Sequence, residues 1–147
     1  MRALLALRLE KNFPTWYREL RPIYGPYEAG LDRFVSLDDR DFIGRAAAEK
    51  EKAEGGTLRR ISLEVDAGDA DALGDEPIWH GGRVIGWVTS GGYGHWVERS
   101  LAQGYVPTAL AADAQLRAFE IEILGERRAA TILTAPLFDP AGERMRA

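Results

Sequence analysis

The chain has 147 residues, enough for one ordinary domain or two small ones, and at 46% hydrophobic and 29% charged it can build a core. Its net charge is −4 with no long basic run, which argues against nucleic acid as main partner, because neutralising phosphates takes clustered Lys and Arg. The absence of cysteine excludes a disulfide framework, a thiolate zinc site and a cysteine nucleophile, and two histidines make a poor basis for a metal centre. No segment reaches the length of a membrane span and the first residues show no cleavage pattern, so a cytoplasmic protein is expected.

In chain order, Leu4, Leu5, Leu7 and Leu9 suggest a helix over the first six residues that passes into a strand at residues 7–10. The opening Met-Arg-Ala has no N-cap, as though the chain began inside an element. Residues 11–25 (KNFPTWYRELRPIYG) are too broken for a long helix and too apolar for a solvated loop, so they should pack over a neighbour. Residues 33–37 read as a strand, Asp41 as an N-cap, and residues 42–52 as a helix stopped by Gly55 and Gly56.

From Thr57 the pattern changes to strands and turns, which sets an expected boundary between units 1–55 and 56–147. Strands are expected at residues 58–65, 77–80, 83–89, 100–106, 117–124 and 127–133, with one helical turn near residues 109–112. Gly81 and Gly82 mark a hairpin. About six short strands suggest a small closed antiparallel barrel. The acidic stretch 66–75 lacks the ligand order of an EF-hand and reads as a solvated loop.

Two places could carry chemistry. Ser90, Gly91, Gly92, Tyr93, Gly94 and His95 follow a strand, but no Gly-Lys-Ser/Thr follows, and the strand-glycine-helix unit of a dinucleotide fold is absent. The stretch reads as a structural turn at a barrel corner; a Ser90–His95 nucleophile and base is the competing idea, without an elbow pattern or orienting acid. Glu10 ends an apolar stretch beside an aromatic-rich segment. A carboxylate between aromatic walls can accept two N–H donors of a flat heterocycle, while the plain alternative is a surface glutamate. Glu28, in a tight turn, has the same two readings, and Arg33 and Arg40 either meet an anionic tail or pair with Asp32, Asp38 and Asp39.

Several segments in one order resemble a known family. Arg8-Leu9-Glu10-Lys11, residues 16–20, Pro26-Tyr27-Glu28-Ala29-Gly30-Leu31 and Asp41-Phe42-Ile43-Gly44-Arg45 look like the last part of the folate-binding module of aminomethyltransferases, which include the glycine cleavage T-protein. The barrel half matches at residues 86–91 (GWVTSG), 104–107 (GYVP) and 136–140 (PLFDP). This version is closer to the folate domain of dimethylglycine and sarcosine dehydrogenases than to the T-protein itself.

The resemblance implies an α+β remnant of a folate-binding domain (1–55) followed by a six-stranded antiparallel Greek-key barrel (56–147). It implies tetrahydrofolate as cofactor, taking a one-carbon unit from a small amine-derived donor to give 5,10-methylenetetrahydrofolate. Glu10 would bind the pterin edge, Trp16 and Tyr27 would help to hold the ligand, and Arg40, in preference to Arg33, would be the arginine that follows the Pro-x-Glu-Ala turn. Glu143 stands near the place of the family's C-terminal aromatic. The family's catalytic aspartate lies upstream of the Arg-Leu-Glu motif, and Asp32, Asp38, Asp39 and Asp41 do not match it. The expectation is therefore part of a one-carbon-transfer site, inactive alone, completed by a further segment or a protein partner. The non-enzymatic alternative is a barrel module for assembly, self-associating through apolar surface from Leu4, Leu5, Phe13 and Trp16.

Overall fold

The computed structural model describes residues 2–38, 41–112, 119–144 and 146. Six strands, β1 (Leu58–Val65), β2 (Pro77–His80), β3 (Arg83–Gly94), β4 (Arg99–Pro107), β5 (Phe119–Ile123) and β6 (Glu126–Ile132), close into a barrel. The strand order is β1-β4-β3-β2-β5-β6, with every neighbouring pair antiparallel. Two connections, β1 to β2 and β4 to β5, join strands that are not neighbours, which is the Greek-key arrangement. Inside sit Leu63, Ile78, Val88, Ala102, Val106, Phe119 and Ile121, each at most 1% exposed. Closure gives each strand a neighbour on both sides.

Strand β4 is buried along nearly its whole length rather than alternately. Ala102 and Val106 face the barrel interior, whereas Leu101, Gln103 and Tyr105 face outward and are covered by the residues that precede β1. Tyr105 stacks on Tyr24 with ring centroids 3.7 Å apart, and its hydroxyl donates to the Glu19 carbonyl at 2.8 Å. The Gln103 amide donates to Asn12 Oδ1 at 3.2 Å. Burial pushes the Tyr105 phenol up from its usual pKa, and it stays a neutral donor.

The covering segment starts with α1 (Arg2–Glu10). The expected strand at residues 7–10 is not formed: Leu, Arg and Glu all favour helix, no β-branched residue interrupts, and the helix runs on to Glu10. It ends in a Schellman closure. Phe13 N donates to Arg8 O and Asn12 N to Leu9 O, with Asn12 at φ 56° taking the place usual for glycine. The strand expected at residues 33–37 is likewise absent. One 3-10 turn (Asp32–Phe34) satisfies its own amides through Phe34 N to Leu31 O and Val35 N to Asp32 O.

The second helix, α2 (Arg45–Glu54), begins three residues later than expected, after Gly44 at φ 92°. Asp41 Oδ1 takes the neighbouring Phe42 N–H instead of capping the helix, and the chain leaves α2 at Gly55, φ 75°. Leu4, Leu5, Phe13 and Trp16 are exposed, the apolar surface anticipated from the sequence.

The hairpin of β2 and β3 turns at Gly81 and Gly82, both in the left-handed region, as a two-residue type I′ loop demands. Residues 90–94, expected as a turn, are instead the continuation of β3, and the reversal comes at residues 95–98. The connection that precedes β2 runs alongside this extension, with Gly91 N donating to Leu73 O. A short helix, α3 (Thr108–Ala111), follows β4. The expected strand at residues 117–124 appears as Phe119–Ile123, and residues 117–118 lie outside the described residues.

Candidate functional site

Glu10 is the last residue of α1 and is 2% exposed. Its carboxylate is buried against the end of the β3–β4 hairpin, where Oε1 accepts the Trp96 backbone N–H at 2.8 Å. Its carbonyl accepts Phe138 N–H at 3.2 Å, so α1 is pinned from two sides. The second carboxylate oxygen, Oε2, is shielded from solvent and has no donor among the described residues. A buried polar oxygen left without a partner costs on the order of 1–3 kcal/mol, so Oε2 is an acceptor placed to take a donor.

Three side chains surround this end of the molecule. The Trp96 and Phe138 rings meet edge to face with centroids 5.8 Å apart, and the Arg144 guanidinium lies over both, 5.4 and 5.5 Å from their centroids. The tail that carries Phe138 is tied down by Lys11, whose ammonium donates to the Asp139 carboxylate at 2.9 Å and also to the Asp139 carbonyl. That hydrogen bond holds the Asp139 carboxyl below its usual pKa, with the Arg144 and Glu143 amides adding to the effect. Beyond Lys11 opens a cleft of about 980 Å³ between Asn12, Phe13, Arg33, Phe34 and the tail at Pro140 and Gly142.

A second buried carboxylate, Glu19, anchors the segment to the barrel. It is 0% exposed and accepts Arg8 Nη1 at 2.9 Å, Thr15 N–H at 2.9 Å, the Thr89 hydroxyl at 2.7 Å and the Ser90 hydroxyl. Adjacent strand residues normally point to opposite faces. The irregularity in β3 between Val88 and Ser90 turns both hydroxyls toward one carboxylate. Burial lowers the Arg8 pKa, against the opposing pull of Glu19. The burial of Glu19 has no local sequence signal, because its Thr89 and Ser90 partners lie about seventy residues away.

The remaining candidates have other surroundings. Ser90 is engaged by Glu19, while His95 is exposed with its ring edge on Tyr93, so the nucleophile-and-base pair is not formed. Glu28 is structural. Burial pushes its carboxyl up, but the Leu58 and Gly25 amides and the Thr57 hydroxyl outweigh this and hold it below its usual pKa. Trp16 is 65% exposed, edge to face with Tyr17, and the Tyr27 backbone N–H goes to Glu51. Neither shares a hydrogen bond or ring contact with Glu10. Arg33 lies over the Phe34 ring, Asp32 pairs with Arg59, and Glu143 donates its amide to Asp139. Arg40 lies outside the described residues. Among the described residues no acidic or histidine cluster could hold a metal ion, and no helix is long and apolar enough to cross a membrane.

Residues 59–139 match the model of the glycine cleavage T-protein C-terminal barrel domain. Dimethylglycine dehydrogenase, mitochondrial, of Mus musculus is 43% identical over 97% of this chain and 17% of its own length. An aminomethyltransferase of Koribacter versatilis is 40% identical over 78% of this chain and 30% of its own. The chain thus spans about a sixth of the dimethylglycine dehydrogenase and under a third of the aminomethyltransferase. The crystal structure of glycine cleavage system aminomethyltransferase T from Bartonella henselae superposes with a TM-score of 0.84 at 25% identity, covering 94% of this chain and 38% of that one.

Proposed function

The chain belongs to the family of the glycine cleavage T-protein C-terminal barrel domain, and from that premise we propose that it forms the Glu10-bearing side of a tetrahydrofolate site. The parent activity would be one-carbon transfer to tetrahydrofolate from a small amine-derived donor, in a protein of the aminomethyltransferase or dimethylglycine and sarcosine dehydrogenase kind. One observation carries the reading: a buried carboxylate with one oxygen fixed by a backbone amide and the other without a donor among the described residues. The edge of a reduced pterin offers adjacent N–H donors, which is what such a carboxylate lacks.

When bound, tetrahydrofolate supplies the nitrogens that receive the one-carbon unit. This chain's residues bind and orient. Glu10 fixes the plane of the ring edge, with its own direction set by the backbone amide of Trp96 and its carbonyl held by that of Phe138. The Arg8–Glu19 network holds the end of α1 in place, which matters because hydrogen-bond recognition fails with errors of about 1 Å. Glu19 has its donors already and Glu28 clasps the start of the barrel, so neither is free to handle a proton. On this reading the chain binds folate without turning it over, and the proton-handling carboxylate of the transfer step comes from outside these residues.

The test is calorimetric titration of the wild-type chain and Glu10→Gln with 5-formyltetrahydrofolate. Removing the charge while keeping the shape should weaken binding about tenfold or more. The melting temperature should hold or rise, since a buried, half-satisfied charge has been removed. Equal affinities, or no binding by the wild-type chain, would overturn the proposal.

A further inference from the structure

Four glycines crowd the second half of β3 and its hairpin partner: Gly91, Gly92, Gly94 and Gly104. Gly94 differs from the others in what it faces. A Cβ built there would lie 2.8 Å from Val97 Cγ2, 3.0 Å from Glu10 Cγ and 3.1 Å from Glu10 Oε1. Its φ lies outside the left-handed region, so the backbone itself would accept any residue. The requirement for glycine at this position is one of space, which Val97 Cγ2 and, only slightly farther off, the Glu10 side chain take up between them.

Glu10 has little freedom to yield. Its carbonyl is held by Phe138 N–H, and its Oε1 is held by Trp96 N–H, two residues beyond Gly94 in the same turn. Moving the carboxylate by the few tenths of an ångström that a methyl group needs would stretch or bend the Trp96 hydrogen bond. Gly92 is glycine for a different reason, its φ of 154°, and a Cβ there would only touch Leu9 Cδ1 at an ordinary 3.7 Å. Together these glycines make the bare strip of strand on which the end of α1 rests.

We infer that Gly94 is a positioning residue for the Glu10 carboxylate: its lack of a side chain lets the hairpin close onto Glu10 so that the Trp96 amide sets the direction in which Oε2 faces a ligand. The inference rests on the folate reading only for its ligand; the positioning itself is a property of the free protein. Gly94 acts through Glu10 and does not touch the ligand.

The experiment uses the whole chain, with Gly94→Ala, Glu10→Gln, the double variant, and Gly94→Ala combined with Val97→Ala to relieve the other close approach. The first readout needs no ligand. In ¹⁵N-resolved spectra the Trp96 amide should shift between the wild type and Glu10→Gln, and on the Gly94→Ala background that response should vanish while the other strand amides keep their positions. The second readout is calorimetry with 5-formyltetrahydrofolate. Gly94→Ala should weaken binding about tenfold, and the double variant should bind no worse than about twofold below Glu10→Gln, because both changes remove one interaction. Val97→Ala should restore the melting temperature of Gly94→Ala without restoring affinity, which separates positioning from turn packing.

A wild-type Trp96 response in Gly94→Ala would overturn the inference, as would losses that multiply in the double variant or an affinity recovered by Val97→Ala. If Glu10→Gln binds as tightly as wild type, the folate reading fails, and the Trp96 amide alone then decides whether Gly94 positions Glu10.

Discussion

Glu19 illustrates how a charge survives at 0% exposure: four donors from three separate stretches of chain converge on one carboxylate. Replacing it by alanine would leave the Arg8 guanidinium, 8% exposed, with no counter-charge and Ser90 with no acceptor. Thr89 would keep the Gln103 carbonyl. Breaking one side of such a buried pair costs about 3–5 kcal/mol. Glu19→Ala is therefore expected to lose that much in a urea melt, and a loss under about 1 kcal/mol would show that the network does not hold the segment to the barrel. Glu10 was legible as a candidate because it closes an apolar run beside aromatic residues. Glu19 sits in a broken stretch with no periodicity, and nothing local to it announces burial.

At the level of elements, the glycines of β3 and β4 decide how closely the strands and their covering segment approach. A Cβ on Gly86 would lie 2.0 Å from the Tyr105 carbonyl oxygen, and one on Gly104 would lie 2.5 Å from the Trp87 carbonyl oxygen. Both neighbours are backbone in a paired ladder and cannot step aside. Gly86→Ala should cost about 3 kcal/mol or more, read from the denaturation midpoint, and a cost below about 1 kcal/mol would mean that the β3–β4 pairing can slide. The glycine-rich run after Trp87 looks like a turn when read alone, because glycine serves bends and close approaches alike. The helix lying across it distinguishes the two uses, and that helix is more than eighty residues upstream.

For the molecule as a whole, two carboxylates tie separate stretches together: Glu28 clasps the covering segment to the start of β1, and Asp139 holds the tail against Lys11. Both have pKa values below the ordinary ones of 4.5 and 3.8. A carboxyl that is more acidic folded than unfolded stabilises the fold above its unfolded pKa and loses that contribution as pH falls through the folded value. Stability should therefore be level near neutrality and decline as pH drops below about 4.5. Glu28→Gln should flatten part of that decline in urea midpoints measured between about pH 7 and pH 3, and an unchanged slope would remove Glu28 from the account.

By itself the sequence determined the barrel. Period-two alternation, a Gly-Gly hairpin and six short strands follow from local rules, and the order of its motifs pointed to the aminomethyltransferase family, which the match over residues 59–139 bears out. The expected strands at residues 7–10 and 33–37 failed because short apolar runs fit helix and strand equally, and only a partner edge or its absence decides between them. Which face of β4 would be covered, which two glutamates would be buried, and why Gly94 must be bare were settled by tertiary structure alone. Each depends on where the segment that precedes β1 comes to rest on the barrel, and no local pattern encodes a contact between chain segments that far apart.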